Sequence, residues 1–217
     1  MSFDFRLLTF DSSVMEPTYT TEGIVLRRDL WREADCRLVI YTRESGKLDL
    51  VARGVKKPNS KLAGHLEPFN RLKLMVINGR SKSYVASAQA LDSFYHLKQD
   101  LDKLQWAGEW LADFNRLVKD NQVDAKLYSL LTSSLSVFNS IKAGPVYYQA
   151  LAGLYLLKLY ELMGEGLDWE ELAGQPGLNQ KTLELLKVSL VQLYQGAPKL
   201  TKSLAELTIH LALVLKN

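Results

Sequence analysis

The chain has 217 residues, 47% of them hydrophobic, and carries 27 Lys and Arg against 24 Asp and Glu for a formal charge of +3. That size and composition supply a core for one large or two modest domains and exclude a disordered chain. No run reaches the 18 apolar residues of a spanning helix and no basic, then apolar, leader opens the sequence, so a cytoplasmic protein is expected.

Residues 1–15 show no clear period, and Met15-Glu16-Pro17 reads like a second start. Residues 1–18 are therefore an N-terminal arm or a mis-assigned start. Between Thr21 and Tyr84 the chain then packs 14 Lys and Arg against 7 Asp and Glu, while residues 86–217 hold 12 basic against 14 acidic groups. The small net charge hides a dipolar molecule. A basic stripe confined to one region is the footprint of a protein that neutralises phosphates and releases counterions; a merely solvated face is the alternative.

The same region alternates with the period of a sheet. Gly23 to Arg28 opens it, with Ile24 and Leu26 on one face. In Arg37 to Arg43, Leu38, Ile40 and Thr42 point one way and Arg37, Val39, Tyr41 and Arg43 the other. The second row either presents an aromatic ring between two guanidiniums to a nucleic-acid strand, or turns Val39 and Tyr41 to the core with the arginines at the strand ends. Ser45-Gly46 turns the chain into Lys47 to Arg53, completing a hairpin. Gly54 to Gly64 is a basic loop with three lysines, in which Gly54 and Gly64 read as backbone hinges. Strand character returns over Phe69 to Ile77 and, after Asn78-Gly79, from Ser83 to about Leu91. Five strands with one long basic connection fit a partly open barrel of the OB type, with an SH3-like barrel as the competitor.

From about Leu97 the period becomes helical. Leu101, Leu104, Gly108, Leu111, Phe114 and Leu117 outline one long helix. A second runs from about Asp124 to Ser140, and Gly144-Pro145 breaks it. The third, Val146 to Met163, is apolar nearly all round and suits the centre of a bundle. A short turn near Asp168 to Leu172 sits in a glycine-rich loop, and helices from about Gln180 to Tyr194 and Ser203 to Lys216 close the chain. The fold class expected is α+β: an arm over 1–18, a five-stranded OB-fold barrel over 19–94, and an all-α helical bundle over 95–217.

Chemistry-bearing motifs are scarce. Cys36 is the sole cysteine, so neither an internal disulfide nor a thiolate zinc site can form. His65, His96 and His210 lack a second ligand at metal spacing and read as packed or solvated. Phosphate-loop, metalloprotease, serine-hydrolase and dinucleotide signatures are missing. A nuclease would need a carboxylate cluster, and Glu22, Asp29, Glu33, Asp35, Glu44 and Asp49 alternate with basic residues as surface pairs do. The chain reads as a binding protein with no enzyme activity and no cofactor.

Several segments are more specific: Gly23-Ile24-Val25-Leu26, Trp31-Arg32-Glu33-Ala34-Asp35, Glu44-Ser45-Gly46-Lys47, Val51-Ala52-Arg53-Gly54, Lys56-Lys57-Pro58-Asn59-Ser60-Lys61 and Leu62-Ala63-Gly64-His65-Leu66-Glu67-Pro68-Phe69. In this order and spacing they resemble the N-terminal domain of the RecO family of bacterial recombination mediators. The likeness covers about residues 20–90, is weaker over the helices, and returns faintly at Pro198 to Ser203. It implies an OB-fold followed by a helical domain, binding of single- and double-stranded DNA, strand annealing, and cooperation with RecR and single-stranded-DNA-binding protein in loading RecA. Many members insert a four-cysteine zinc module after the apolar helix, whereas Gly164 to Gly177 contains no cysteine. Zinc is not expected.

The residues expected at the DNA are Arg53, Lys56, Lys57 and Lys61 as a phosphate-binding loop, Arg37, Arg43 and Lys47 on the hairpin, and Arg27 and Arg28 on the first strand. Trp31 and Tyr41 are the candidates for base stacking, although Trp31 also reads as a plug over the barrel end. The rival function is a scaffold whose basic face docks acidic protein partners without touching DNA.

Overall fold

A computed structural model describes residues 18–174, 180–193, 198 and 200–216. The expectations for the N-terminal arm through residue 17, for Pro176 and Gly177, and for Gln195-Gly196-Ala197 lie outside the described residues. Five strands come first: β1 (Thr18–Leu30), β2 (Cys36–Thr42), β3 (Gly46–Ala52), β4 (Arg71–Asn78) and β5 (Ser83–Asp92). They close into a barrel in the order β1-β2-β3-β5-β4, the OB arrangement. Closure rests on a short parallel contact in which Leu50 pairs with Ser83 and Val51 with Tyr84.

β1 is much longer than its period-two stretch because it serves two partners. Its first half pairs with β4 from Thr18 to Ile24, and its second half pairs with β2 from Gly23 to Leu30. A bulge between Val25 and Arg27 bends it round the barrel. Side chains alternate across the sheet, so Val25, Leu38, Ile40, Leu50, Leu72, Leu74 and Val76 fill the interior, joined by Val55 and Leu66 from the long connection. The opposite row is not solvated. Ile24, Leu26, Val39, Tyr41 and Phe69 merge into the apolar core of the helices.

Tyr41 is thereby corrected as a stacking candidate. It is fully buried, edge-on to Phe114 at 5.0 Å between ring centroids, and its hydroxyl donates to the Gln122 carbonyl at 3.1 Å. Burial, more than the nearby Asp124, pushes its hydroxyl up to about 12. Between the two readings of β2, the outward row packs on the helices.

Among the described residues the helices are α1 (Tyr95–Lys98), α2 (Leu101–Leu117), α3 (Ala125–Ser140), α4 (Pro145–Leu162), α5 (Trp169–Ala173), α6 (Gln180–Gln192) and α7 (Lys202–Lys216). The long helix expected from Leu101 is α2; Asp100, whose carboxylate accepts from the Asp102 and Lys103 amides, starts it and separates it from the short α1. Asp124 caps α3 in the same way. Pro145 stands in the first turn of α4, where a missing amide hydrogen does no harm. α4 packs against α2, α3, α6 and α7 and is the centre of the bundle. Beside it, Trp110 of α2 is 1% exposed and its indole N–H donates to Ser134 Oγ at 2.8 Å.

The β2–β3 turn fastens barrel to bundle. Gly46 has φ +68°, and a Cβ there would lie 2.5 Å from the Gln122 carbonyl oxygen. The next residue locks the contact, since the Asn121 amide donates to the Lys47 carbonyl at 3.0 Å. Of the two hinge glycines expected in the basic loop, Gly54 has φ +67°. Gly64 is a correction: it is not among the positive-φ residues, and a Cβ on it would meet nothing within 4 Å.

Candidate nucleic-acid interface

Three loops meet at one end of the barrel. The connector between β1 and β2 is closed by the Trp31 amide on the Asp35 carbonyl at 3.3 Å. The loop after β3 is tied to it: the Gly54 amide donates to Asp35 Oδ1 at 2.9 Å and the Lys56 amide to the Ala34 carbonyl at 3.1 Å. Because Val55 is sunk into the barrel core, its neighbours Lys56 and Lys57 are turned out to solvent. The β4–β5 hairpin, with Gly79 donating to the Lys82 carbonyl at 3.0 Å, flanks both through the β3–β5 contact.

Between these loops lies a trough of about 500 Å³ walled by Trp31, Arg37, Asp49, Arg80, Lys82 and Asp120. Trp31 is 38% exposed. The Lys82 ammonium sits 3.7 Å from its ring centroid and the Arg37 guanidinium 5.8 Å from it. Arg53 lies 4.1 Å over the ring of Tyr84. Sequence reasoning did not place Tyr84 here; an aromatic two residues past the basic hairpin Arg80-Ser81-Lys82 was the available signal.

The nine cations named from the sequence do not form one surface. Arg53, Lys56, Lys57 and Lys61 are all exposed on the loop after β3, and Lys56 also donates to the Arg32 carbonyl at 3.3 Å. Arg37 borders the trough but is clamped by Asp49, its Nε 2.8 Å from each carboxylate oxygen. Arg27 pairs with Asp29 at 2.9 Å, and Arg28 donates to the Ala63 carbonyl at 3.2 Å. Arg43 follows the far end of β2, roughly 20 Å from Arg37 at ~3.3 Å per strand residue.

Lys47 is a correction. Its side chain is 11% exposed, and its ammonium donates to the Asn115 carbonyl at 3.0 Å and to the Val118 carbonyl, with Asp120 at 3.2 Å. It closes the C-terminal end of α2, where unpaired carbonyls and the helix dipole favour a cation. Lys47→Met should destabilise the fold by about 1–3 kcal/mol while leaving affinity for an oligonucleotide unchanged. Urea denaturation and a binding titration of the same variant check both halves, and a selective loss of binding would return Lys47 to the interface.

The acidic residues are dispersed among neighbours. Asp29 and Asp49 are paired with arginines, Asp35 holds the Gly54 amide, and Glu44 accepts from the Thr21 hydroxyl. Among the described residues, no group of three His, Cys, Asp or Glu stands together as a metal site, and no helix is long and apolar enough to cross a membrane. His65 is a packed histidine whose Nδ1 accepts from the Ala90 amide at 3.3 Å.

The family described as "Recombination protein O N terminal" matches residues 15–94. Over 169 residues the chain is 31% identical to the DNA repair protein RecO of Cutibacterium acnes, covering 76% of this chain and 69% of that one. It is 36% identical over 126 residues to the protein of that name from Desulforudis audaxviator, covering 58% and 51% of the two chains. With the one from Alkaliphilus metalliredigens it shares 29% identity over 144 residues, 66% of this chain and 57% of the relative. Against these last two, the chain spans little more than half of the relative's length.

Proposed function

Since the chain belongs to the RecO family, we propose that it works in DNA repair and recombination by binding single- and double-stranded DNA and annealing complementary strands, and that it helps RecR load RecA onto DNA coated by single-stranded-DNA-binding protein. The observation that carries the DNA part of this reading is the exposed cation group Arg53, Lys56 and Lys57, held over the β1–β2 connector beside an exposed indole. Lys61 extends the loop, and Arg27, Arg28, Arg37 and Arg43 contribute to the wider positive field. The barrel over 19–94 is the DNA-binding unit in this reading, the segment over 95–217 is its helical support, and residues 1–18 are an arm. It acts in the cytoplasm, on the nucleoid. With one cysteine in the chain, no zinc takes part.

Annealing makes and breaks no covalent bond, so no catalytic group is required. The obstacle is repulsion between two polyanions. A basic surface that neutralises phosphates and leaves base edges free lets Watson–Crick pairing select the partner strand. Sequence preference is therefore slight.

Fluorescence anisotropy of a labelled single-stranded oligonucleotide over a salt series tests the assignment, comparing the native chain with Lys56→Glu/Lys57→Glu. The double variant should bind about ten- to a hundredfold more weakly, with a logarithmic salt slope flatter by about 1.4, two lost phosphate contacts at ~0.7 each. Failure of the native chain to bind, or equal binding by the variant, would favour the scaffold that docks acidic proteins.

A further inference from the structure

We infer that Trp31 and Tyr84 form a two-ring track for the unpaired bases of a single strand, and that Lys82 and Arg53, which cover those rings in the free protein, pass to the phosphates when bases arrive. The inference rests on the DNA-binding reading above and adds to it which strand state the site selects.

The two rings flank one hairpin. Trp31 and residues 79–83 line the trough, while Arg53, Tyr84 and Gly79 to Ser81 line an adjoining recess of about 420 Å³. Arg80, at the hairpin tip, is exposed between them. Tyr84 is fixed by its pairing with Val51 at the barrel closure, and Trp31 by the short connector that Asp35 closes. Both platforms are therefore held by backbone, which favours stacking because little order has to be imposed on binding.

A plug over the barrel end would be sealed from water. Here Val55 and Leu66 from the long connection are buried with the barrel interior, whereas the indole is not part of that core and stays open. The face of an aromatic ring attracts a cation through its quadrupole and a base through stacking, so the two compete for the same surface. A base covers more of the ring than an ammonium does. The displaced cation is then left beside the incoming backbone, where neutralising a phosphate releases a counterion. Lys82 and Arg53 thus serve both states of the site. Arg37 does not take part in the exchange: Asp49 grips it from both carboxylate oxygens, making it a positioning residue for the indole.

Base faces are open only when unpaired, since in a duplex they stack on one another. The track accordingly discriminates by strand state, whereas the lysine loop does not. On the full chain, Trp31→Ala and Tyr84→Ala should each weaken binding of an oligo(dT) probe about 5- to 150-fold, change duplex binding less than about twofold, and leave the salt slope unaltered. Trp31→Phe and Tyr84→Phe keep a ring and should retain most of the affinity, whereas Lys82→Ala should flatten the slope by about 0.7. Photocrosslinking of a 5-iodouracil oligonucleotide to the native chain guards against a variant that fails to fold, and the crosslinked residues should be Trp31 or Tyr84. Alanine variants that bind oligo(dT) normally, or lose single strand and duplex alike, would overturn the track, as would crosslinks confined to other residues. A native chain that binds no DNA would instead remove the reading on which the track rests.

Discussion

Trp110→Ala should lower the unfolding free energy by about 3–5 kcal/mol, the usual loss for deleting a large buried aromatic. The indole lies between Phe114 at 5.6 Å and Tyr155 at 5.7 Å, ring centroid to ring centroid, at the contact of α2 with the central helix. Removing it opens a cavity next to Tyr155, whose hydroxyl is already buried with no hydrogen-bond partner among the described residues. Ser134 is less exposed to the change, because its hydroxyl also donates to the Leu131 carbonyl at 2.7 Å and remains satisfied. Loss of the indole hydrogen bond is therefore a minor part of the effect, and Trp110→Phe should recover more than half of the stability. A domain is stable by only about 5–15 kcal/mol, so the alanine variant should show a large fall in urea midpoint. A loss under about 1 kcal/mol would mean that the α2–α4 contact is not packed around this ring.

Gly46→Ala is expected to destabilise by about 2–4 kcal/mol. Two effects add at this position. A left-handed conformation costs a residue with a Cβ about 1–2 kcal/mol. The new methyl also meets backbone, 2.5 Å from the Gln122 oxygen and 2.8 Å from the Asn121 carbonyl carbon, and backbone tied into the Lys47 to Asp120 bridge cannot step aside. Gly54→Ala carries the first effect without the second. Its φ of +67° is nearly the same, yet the nearest atom to its Cβ is the flexible Lys57 Cδ at 3.6 Å. That variant should lose only the conformational part, about 1 kcal/mol. Equal losses in thermal unfolding of the two variants would show that the β2–β3 turn does not press on residues 121–122.

The barrel was legible in the sequence where one side of a strand faces its interior. Leu38, Ile40 and Leu50 alternate as a pleated strand requires, and Asn78-Gly79 marks the turn before β5. β1 was cut short because its N-terminal half pairs with β4, a contact that no local pattern announces. The start of α2 was legible as well, since its leucine period opens at Leu101 and an aspartate before a periodic run is itself a start signal. At the site, the basic loop was visible as charge alone. What each cation does was not, because its partner lies far along the chain: Lys47 is decided by Asn115 and Val118, and Tyr41 by Phe114 and Gln122. Tyr84 escaped notice because only barrel closure brings it near Arg53.

β1 and β2 have two dry faces, one lining the barrel and one buried beneath the helices. Opening the barrel would strip the bundle of Ile24, Leu26, Val39 and Tyr41, so neither half can melt without exposing the other's apolar surface. Stability gained at one end is therefore shared. A ligand that binds only the folded barrel slows every opening that passes through its loss, including openings of helices it never touches. Amide hydrogens along α2 and α3 would thus record occupancy of the trough beside the barrel loops, and protection in the helices would not by itself locate the binding site there.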